Sequence, residues 1–138
     1  MSTELETMKV NFLGRRQVSV EYRGQTILTD QPKGVGGDGE APTGFDLFIA
    51  SLAACSGFYV QLFCQKRNIP LEAVKMEMTP IFNDETDVLS NLNIKVETNG
   101  DFPEKYKKTI FNLIDQCAVK KQLLTPPQVN IEIGEMAN

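Results

Sequence analysis

The sequence predicts an α+β fold: antiparallel strands packed around a long buried central helix, in the order βββ-α-ββ-α-β, within one domain. Three observations carry this. The opening segment is made of short runs rich in β-branched and aromatic residues, separated by tight-turn residues. A long apolar stretch in mid-chain begins with a helix-capping sequence, and two further runs after it alternate apolar and polar residues. At 138 residues, 41% of them apolar and 23% charged, the chain is long enough to bury one core without disulfide or metal staples. A single domain over 1–138 is expected, with loose ends at 1–7 and 136–138.

Residues 9–13, 17–22 and 25–29 read as a three-stranded meander, with Gly14 and Arg23-Gly24 supplying the turns. Residues 30–42 hold Gly34, Gly36, Gly37, Gly39, Pro32 and Pro42, which forbid regular structure. This loop has neither the order of a P-loop nor that of a dinucleotide fingerprint. Thr43-Gly-Phe-Asp46 has the form of a capping box, so the long helix starts at about Thr43 and ends near Arg67, before Asn68-Ile-Pro70. Its polar residues Asp46, Ser51, Ser56 and Gln61 are spread around the axis, which leaves no wet face and predicts burial nearly all round. Residues 73–83 and 89–98 alternate as two half-exposed strands of a hairpin. A second helix follows Asp101-Phe-Pro-Glu104, carries Tyr106, Ile110, Leu113 and Ile114 as its apolar stripe, and stops at Cys117. Pro126-Pro127 introduces a last strand over 128–133.

A helix apolar on every side needs cover on every side, and six short strands supply one sheet. A second subunit is the natural source of the remaining cover, so a homodimer is expected. The formal charge of −4, with 14 basic against 18 acidic residues, argues against nucleic acid as a partner, because phosphate binding needs a concentrated basic surface. The polar interruptions of 45–64 make this stretch a core helix and not a membrane span. The acidic N-terminal segment lacks an apolar signal region, which points to the reducing cytoplasm and to free thiols.

The chain has three cysteines and no histidine. Without histidine or a Cys-x-x-Cys pair, a zinc site and Cys-His catalysis are both unsupported, and no cofactor is implied. Cys55 lies among small residues in Ser51-Leu-Ala-Ala-Cys55-Ser-Gly, either as a packed small hydrophobe or as a nucleophile with room around it. Cys64 is half a turn away and roughly 13 Å along the same helix, too far to bridge to Cys55, and reads as core. Cys117 ends the second helix beside Lys120 and Lys121, which favour a thiolate if they reach it.

Gly36-Gly-Asp-Gly-Glu-Ala-Pro-Thr-Gly-Phe-Asp-Leu-Phe-Ile-Ala-Ser-Leu-Ala-Ala-Cys-Ser-Gly57, with Gln116-Cys117 and the order of elements, resembles the OsmC/Ohr superfamily over about 10–133. The resemblance implies an intertwined, OsmC-like homodimer in which Cys55 attacks an organic hydroperoxide and becomes a sulfenic acid. Cys117 then condenses with it to a disulfide, which a dithiol such as a lipoylated protein reduces. It also implies an arginine that holds the thiolate, here Arg15 or, alternatively, Arg16. Phe45 stands where the hydroperoxide-resistance branch has a glutamate. Asp46, one position later, is either a site residue or the cap of its helix, and 118–121 replace the usual Pro or His. Phe45, Phe48, Phe58 and Tyr59 would make an apolar peroxide the preferred substrate. The competing reading is an apolar-pocket binding protein on the same scaffold, with Cys55 merely packed.

Overall fold

A computed structural model describes residues 2–137, and the chain divides into two compact units, Met1–Ala50 and Ser51–Asn138. Of the ends expected to be loose, residues 1 and 138 lie outside the described residues, while 2–7 and 136–137 carry no regular secondary structure.

The first unit holds β1 (Lys9–Gly14), β2 (Gln17–Tyr22) and β3 (Gln25–Thr29), an antiparallel sheet in that order. Arg23 and Gly24 both take positive φ, 50° and 74°, the two-residue turn whose twist matches the flanking strands. The first turn is less regular: Gly14 and Arg15 sit at φ 112° and 48°, and the register slips between Phe12 and Gly14. The loop after β3 is organised by Asp30, which is fully buried. Its carboxylate accepts the N–H groups of Gln31 at 2.7 Å, Glu40 at 3.1 Å and Asp38 at 3.3 Å. Gly37 is required there because a methyl group would overlap the Gln31 carbonyl.

The long helix α1 (Gly44–Lys66) begins in this unit and continues into the second. Its start is the expected reciprocal box: Thr43 N–H donates to Asp46 Oδ2 and Asp46 N–H to Thr43 Oγ1, both at 3.0 Å. Its end is a Schellman motif, with Asn68 at φ 55°, Ile69 N–H on the Cys64 carbonyl and Asn68 N–H on that of Gln65.

The rest of the second unit comprises β4 (Val74–Asn83) and β5 (Val88–Thr98), an antiparallel hairpin, then α2 (Lys107–Asp115) and α3 (Ala118–Leu124). Val74, Met76 and Met78 of β4 and Leu92, Ile94 and Val96 of β5 are half-buried while their neighbours face out, the alternation expected of a one-sided sheet. Val60, Phe63 and Cys64 of α1 form the core with Ile69, Ala73, Phe102 and Ile110. Burying a side chain such as Ile110 stabilises the unit by about 1.5–3 kcal/mol. The Arg67 guanidinium lies 3.8 Å over the Phe63 ring, and that ring meets Tyr106 edge-on at 5.2 Å.

Two expectations are corrected. The second helix does not simply end at Cys117: a short 3₁₀ turn, Glu104–Tyr106, leads into α2, and after one extended residue a further helix, α3, follows. No strand forms over 128–133, where Val129, Ile131 and Ile133 are exposed; a strand exists only against a partner strand, and the chain supplies none there. Within one chain α1 buries Leu52, Ser56, Val60, Phe63 and Cys64, one face of the helix.

Candidate active site

Helical geometry sets the exposure of the first thiol. At about 100° per residue, Leu52, Ser56, Val60 and Phe63 gather on the buried face of α1, and Cys55 falls at its edge. Cys55 is accordingly half-buried, whereas Ser56 beside it is fully buried. Phe58 and Tyr59 follow Cys55 by three and four positions, so they border it on the helix surface. Their rings meet edge-on at 5.6 Å, and Phe58 is exposed while Tyr59 is half-buried.

Cys117 occupies the single extended position between α2 and α3, with φ −60° and ψ 143°, and it is fully buried. At this break the Cys55 thiol and the Ser56 hydroxyl of α1 come within electrostatic reach of the Cys117 sulfur. Burial pushes the Cys117 thiol up, but the opposing contacts outweigh it: the Lys120 N–H, the Cys55 thiol, the Ser56 hydroxyl and the Val119 N–H hold it below the usual thiol range. The sulfur makes no side-chain cap hydrogen bond to α3. The break is also spanned by an ion pair between Asp115 and Lys120.

Cys64 is fully buried in the core, and burial pushes its thiol up. It lines an apolar depression of about 220 Å³ with Gly57, Val60, Gln61, Leu71, Val74 and Met76, on the side of α1 opposite Cys55. Cys64 is therefore a packing residue.

The remaining sequence-predicted residues belong to the first unit and have partners there. Arg15 Nε pairs with Asp38 Oδ2 at 2.9 Å and its Nη2 reaches the Gly36 carbonyl at 3.4 Å. The Arg16 guanidinium also lies against Gly36, so both arginines of the first turn grip the glycine loop. Asp46 is the reciprocal cap of α1, as the capping-box reading expects. Phe45 and Phe48 form a tilted ring pair at 5.7 Å. Among the described residues no cluster of side chains suits a metal ion.

Two residues escaped the sequence reading. Ser56 carried a signal, since it is a polar residue on the helix face of Leu52, Val60 and Phe63, next to a cysteine. Asp30, an acid at a strand end before a glycine loop, carried a weaker one.

The sequence matches the family model described as OsmC-like protein over residues 37–132. No curated protein matches it significantly. Among solved structures, a Psychrobacter arcticus protein named for osmotic stress induction and a detoxification response is 25% identical, with a TM-score of 0.72 over 88% of this chain and 90% of that one. An OsmC-like protein from Mycoplasma pneumoniae is 15% identical, with a TM-score of 0.67 over 91% of each chain. An organic hydroperoxide resistance protein OsmC from Legionella pneumophila is 21% identical, with a TM-score of 0.51 over 88% of this chain and 91% of that one. Since the family model spans most of the sequence and carries Cys55 and Cys117 within it, the chain belongs to the OsmC-like protein family.

Proposed function

We propose that the protein is a thiol-dependent peroxidase that reduces organic hydroperoxides through Cys55 and Cys117. The observation that supports this best is the meeting of the two sulfurs, one half-buried and one fully buried. Cys55, as thiolate, attacks the distal peroxide oxygen; an S–O bond forms, the O–O bond breaks and the alkoxide leaves to be protonated as the alcohol. Cys117 then attacks the sulfur of the sulfenic acid, an S–S bond forms and hydroxide departs as water. An external dithiol reduces the disulfide and returns the protein to its starting state.

Access assigns the roles, because a peroxide reaches the half-buried Cys55 before the enclosed Cys117. Phe58 and Tyr59, bordering Cys55, favour an alkyl or fatty-acid peroxide over hydrogen peroxide. The working form in this reading is a soluble cytoplasmic homodimer. Arg15 is its candidate activator, tested below, since its guanidinium is held by Asp38 and Gly36.

Turnover of cumene hydroperoxide with dihydrolipoamide is expected for the wild type and not for Cys55→Ser or Cys117→Ser. Mass spectrometry after one equivalent of peroxide is expected to find a Cys55–Cys117 disulfide. Equal rates in all three proteins would eliminate the proposal. They would leave the second reading, an apolar-ligand binding protein, which the exposed aromatic pairs of α1 favour and which retention of a lipid-like ligand through purification would support.

A further inference from the structure

The glycine loop after β3 is built on one carboxylate. Asp30 is fully buried, and a buried charge persists only where hydrogen bonds replace its lost hydration. The N–H groups of Gln31, Asp38 and Glu40 do this, one on Oδ1 and two on Oδ2. The main chain closes the same ring: Asp30 N–H donates to the Pro42 carbonyl and Gly39 N–H to that of Gln31, both at 3.0 Å. Residues 36–40 are thereby fixed in shape, with no room for a methyl group at Gly37.

That shape presents acceptors to the turn between β1 and β2. Arg15 Nε donates to Asp38 Oδ2 at 2.9 Å and its Nη2 to the Gly36 carbonyl at 3.4 Å. Gln17 Nε2 donates to Glu40 Oε2 at 3.0 Å, a second strap between the same two segments. An exposed ion pair alone does not order a long side chain, because the lost rotamer freedom offsets what the pair contributes. Two acceptors on one rigid backbone change this. Asp38 is itself a donor to the Asp30 carboxylate, so the residue that takes Arg15 Nε cannot drift. A guanidinium carries five N–H donors, and Nη1 is committed to neither acceptor.

We propose that Asp30 is a positioning residue for the Arg15 guanidinium, acting through the glycine loop, whose Asp38 carboxylate and Gly36 carbonyl fix where the guanidinium points. The Asp30 carboxyl is held below the usual range by the same N–H groups, so it stays ionised at neutral pH and keeps the loop closed. A cation placed in advance acts on a reacting group without first being ordered, which removes that cost from the reaction. The effect on turnover rests on the peroxidase reading above, in which Arg15 activates the thiol, whereas the holding of the guanidinium does not.

The test reads the arginine directly, by the heteronuclear NOE of Arg15 Nε in the reduced full chain without peroxide. In the wild type it is expected to match the backbone amides, as for a group held on the fast timescale. In Asp38→Ala, which removes an acceptor, it is expected to collapse to the value of a freely moving side chain. The same collapse is expected in Asp30→Asn, well below its melting temperature, although both acceptors stay in place, because an amide nitrogen facing N–H groups opens the loop. Peroxidase kcat/KM is expected to fall as far in Asp30→Asn as in Arg15→Ala, by about tenfold or more, and no further in the double variant. A rigid Nε or an unchanged rate in Asp30→Asn, a mobile Nε in the wild type, or a double variant slower than Arg15→Ala would overturn the proposal. So would an Asp30→Asn chain that fails to fold, which would make the carboxylate a need of the fold and not of the arginine. The expected NOE values in a wild type without peroxidase turnover would sink only the peroxidase reading.

Discussion

Asp30 and Gly37 shape the loop after β3 through opposite properties, a charge that gathers N–H groups and an absent side chain. The Asp30 carboxyl is held below the usual range, first by the Glu40 N–H, then by those of Gln31 and Asp38 and the Gln17 side chain, against a burial effect that raises it. In the unfolded chain an aspartate titrates near about 3.9. A depressed folded-state value means that its stabilisation is complete above that pH and is lost as pH falls through the folded value. Thermal melts of wild type and Asp30→Asn are expected to differ at neutral pH and to converge on acidification below about pH 4. Gly37→Ala forces the backbone of Gln31 to move, and a destabilisation of about 1–3 kcal/mol in urea titration is expected. Arg15 is different, because its ion pair with Asp38 is exposed and such pairs contribute about 0–1 kcal/mol. Arg15→Ala should therefore fold normally, and a marked fall in its peroxidase rate would assign the guanidinium to thiol chemistry; an unchanged rate would restrict it to the loop.

At the scale of elements, both ends of α1 carry their instructions locally. Thr43→Ala removes one arm of the capping box and is expected to cost about 0.5–2 kcal/mol in chemical denaturation. Asn68 holds the left-handed position of the Schellman motif, so Asn68→Ala should cost about 1–2 kcal/mol and Asn68→Gly should not. The strands were legible for the same reason, since their period-two alternation is a local pattern and the pairing of β4 with β5 follows from it. The junction of α2 and α3 was not legible. No Ser, Thr, Asp or Asn precedes Ala118, and Lys120-Lys121 reads as a solvated helix end. The helix breaks there at the extended Cys117, with φ −60° and ψ 143°.

For the whole molecule, one chain exposes many large apolar side chains. Phe45, Phe48 and Phe58 of α1 are exposed, as are Phe12 of β1, Ile81 and Phe82 of β4 and the alternating Val129, Ile131 and Ile133. Exposed apolar side chains in such number are what an association surface offers, and several fall on the helix expected to need cover on every side. Sedimentation equilibrium is expected to return twice the mass of one chain at micromolar concentration. A monomer there would leave the exposed face of α1 without an explanation.

The sequence by itself determined the order of the first elements, both caps of the long helix, the exclusion of histidine-based chemistry and the family, because each of these is written in neighbouring residues. Only the tertiary structure brought Cys117 within reach of Cys55, buried Ser56 and set Arg15 against the glycine loop. Such encounters join residues far apart in the chain. Their energies come from burial and from the orientation of a few polar groups, neither of which any local pattern records.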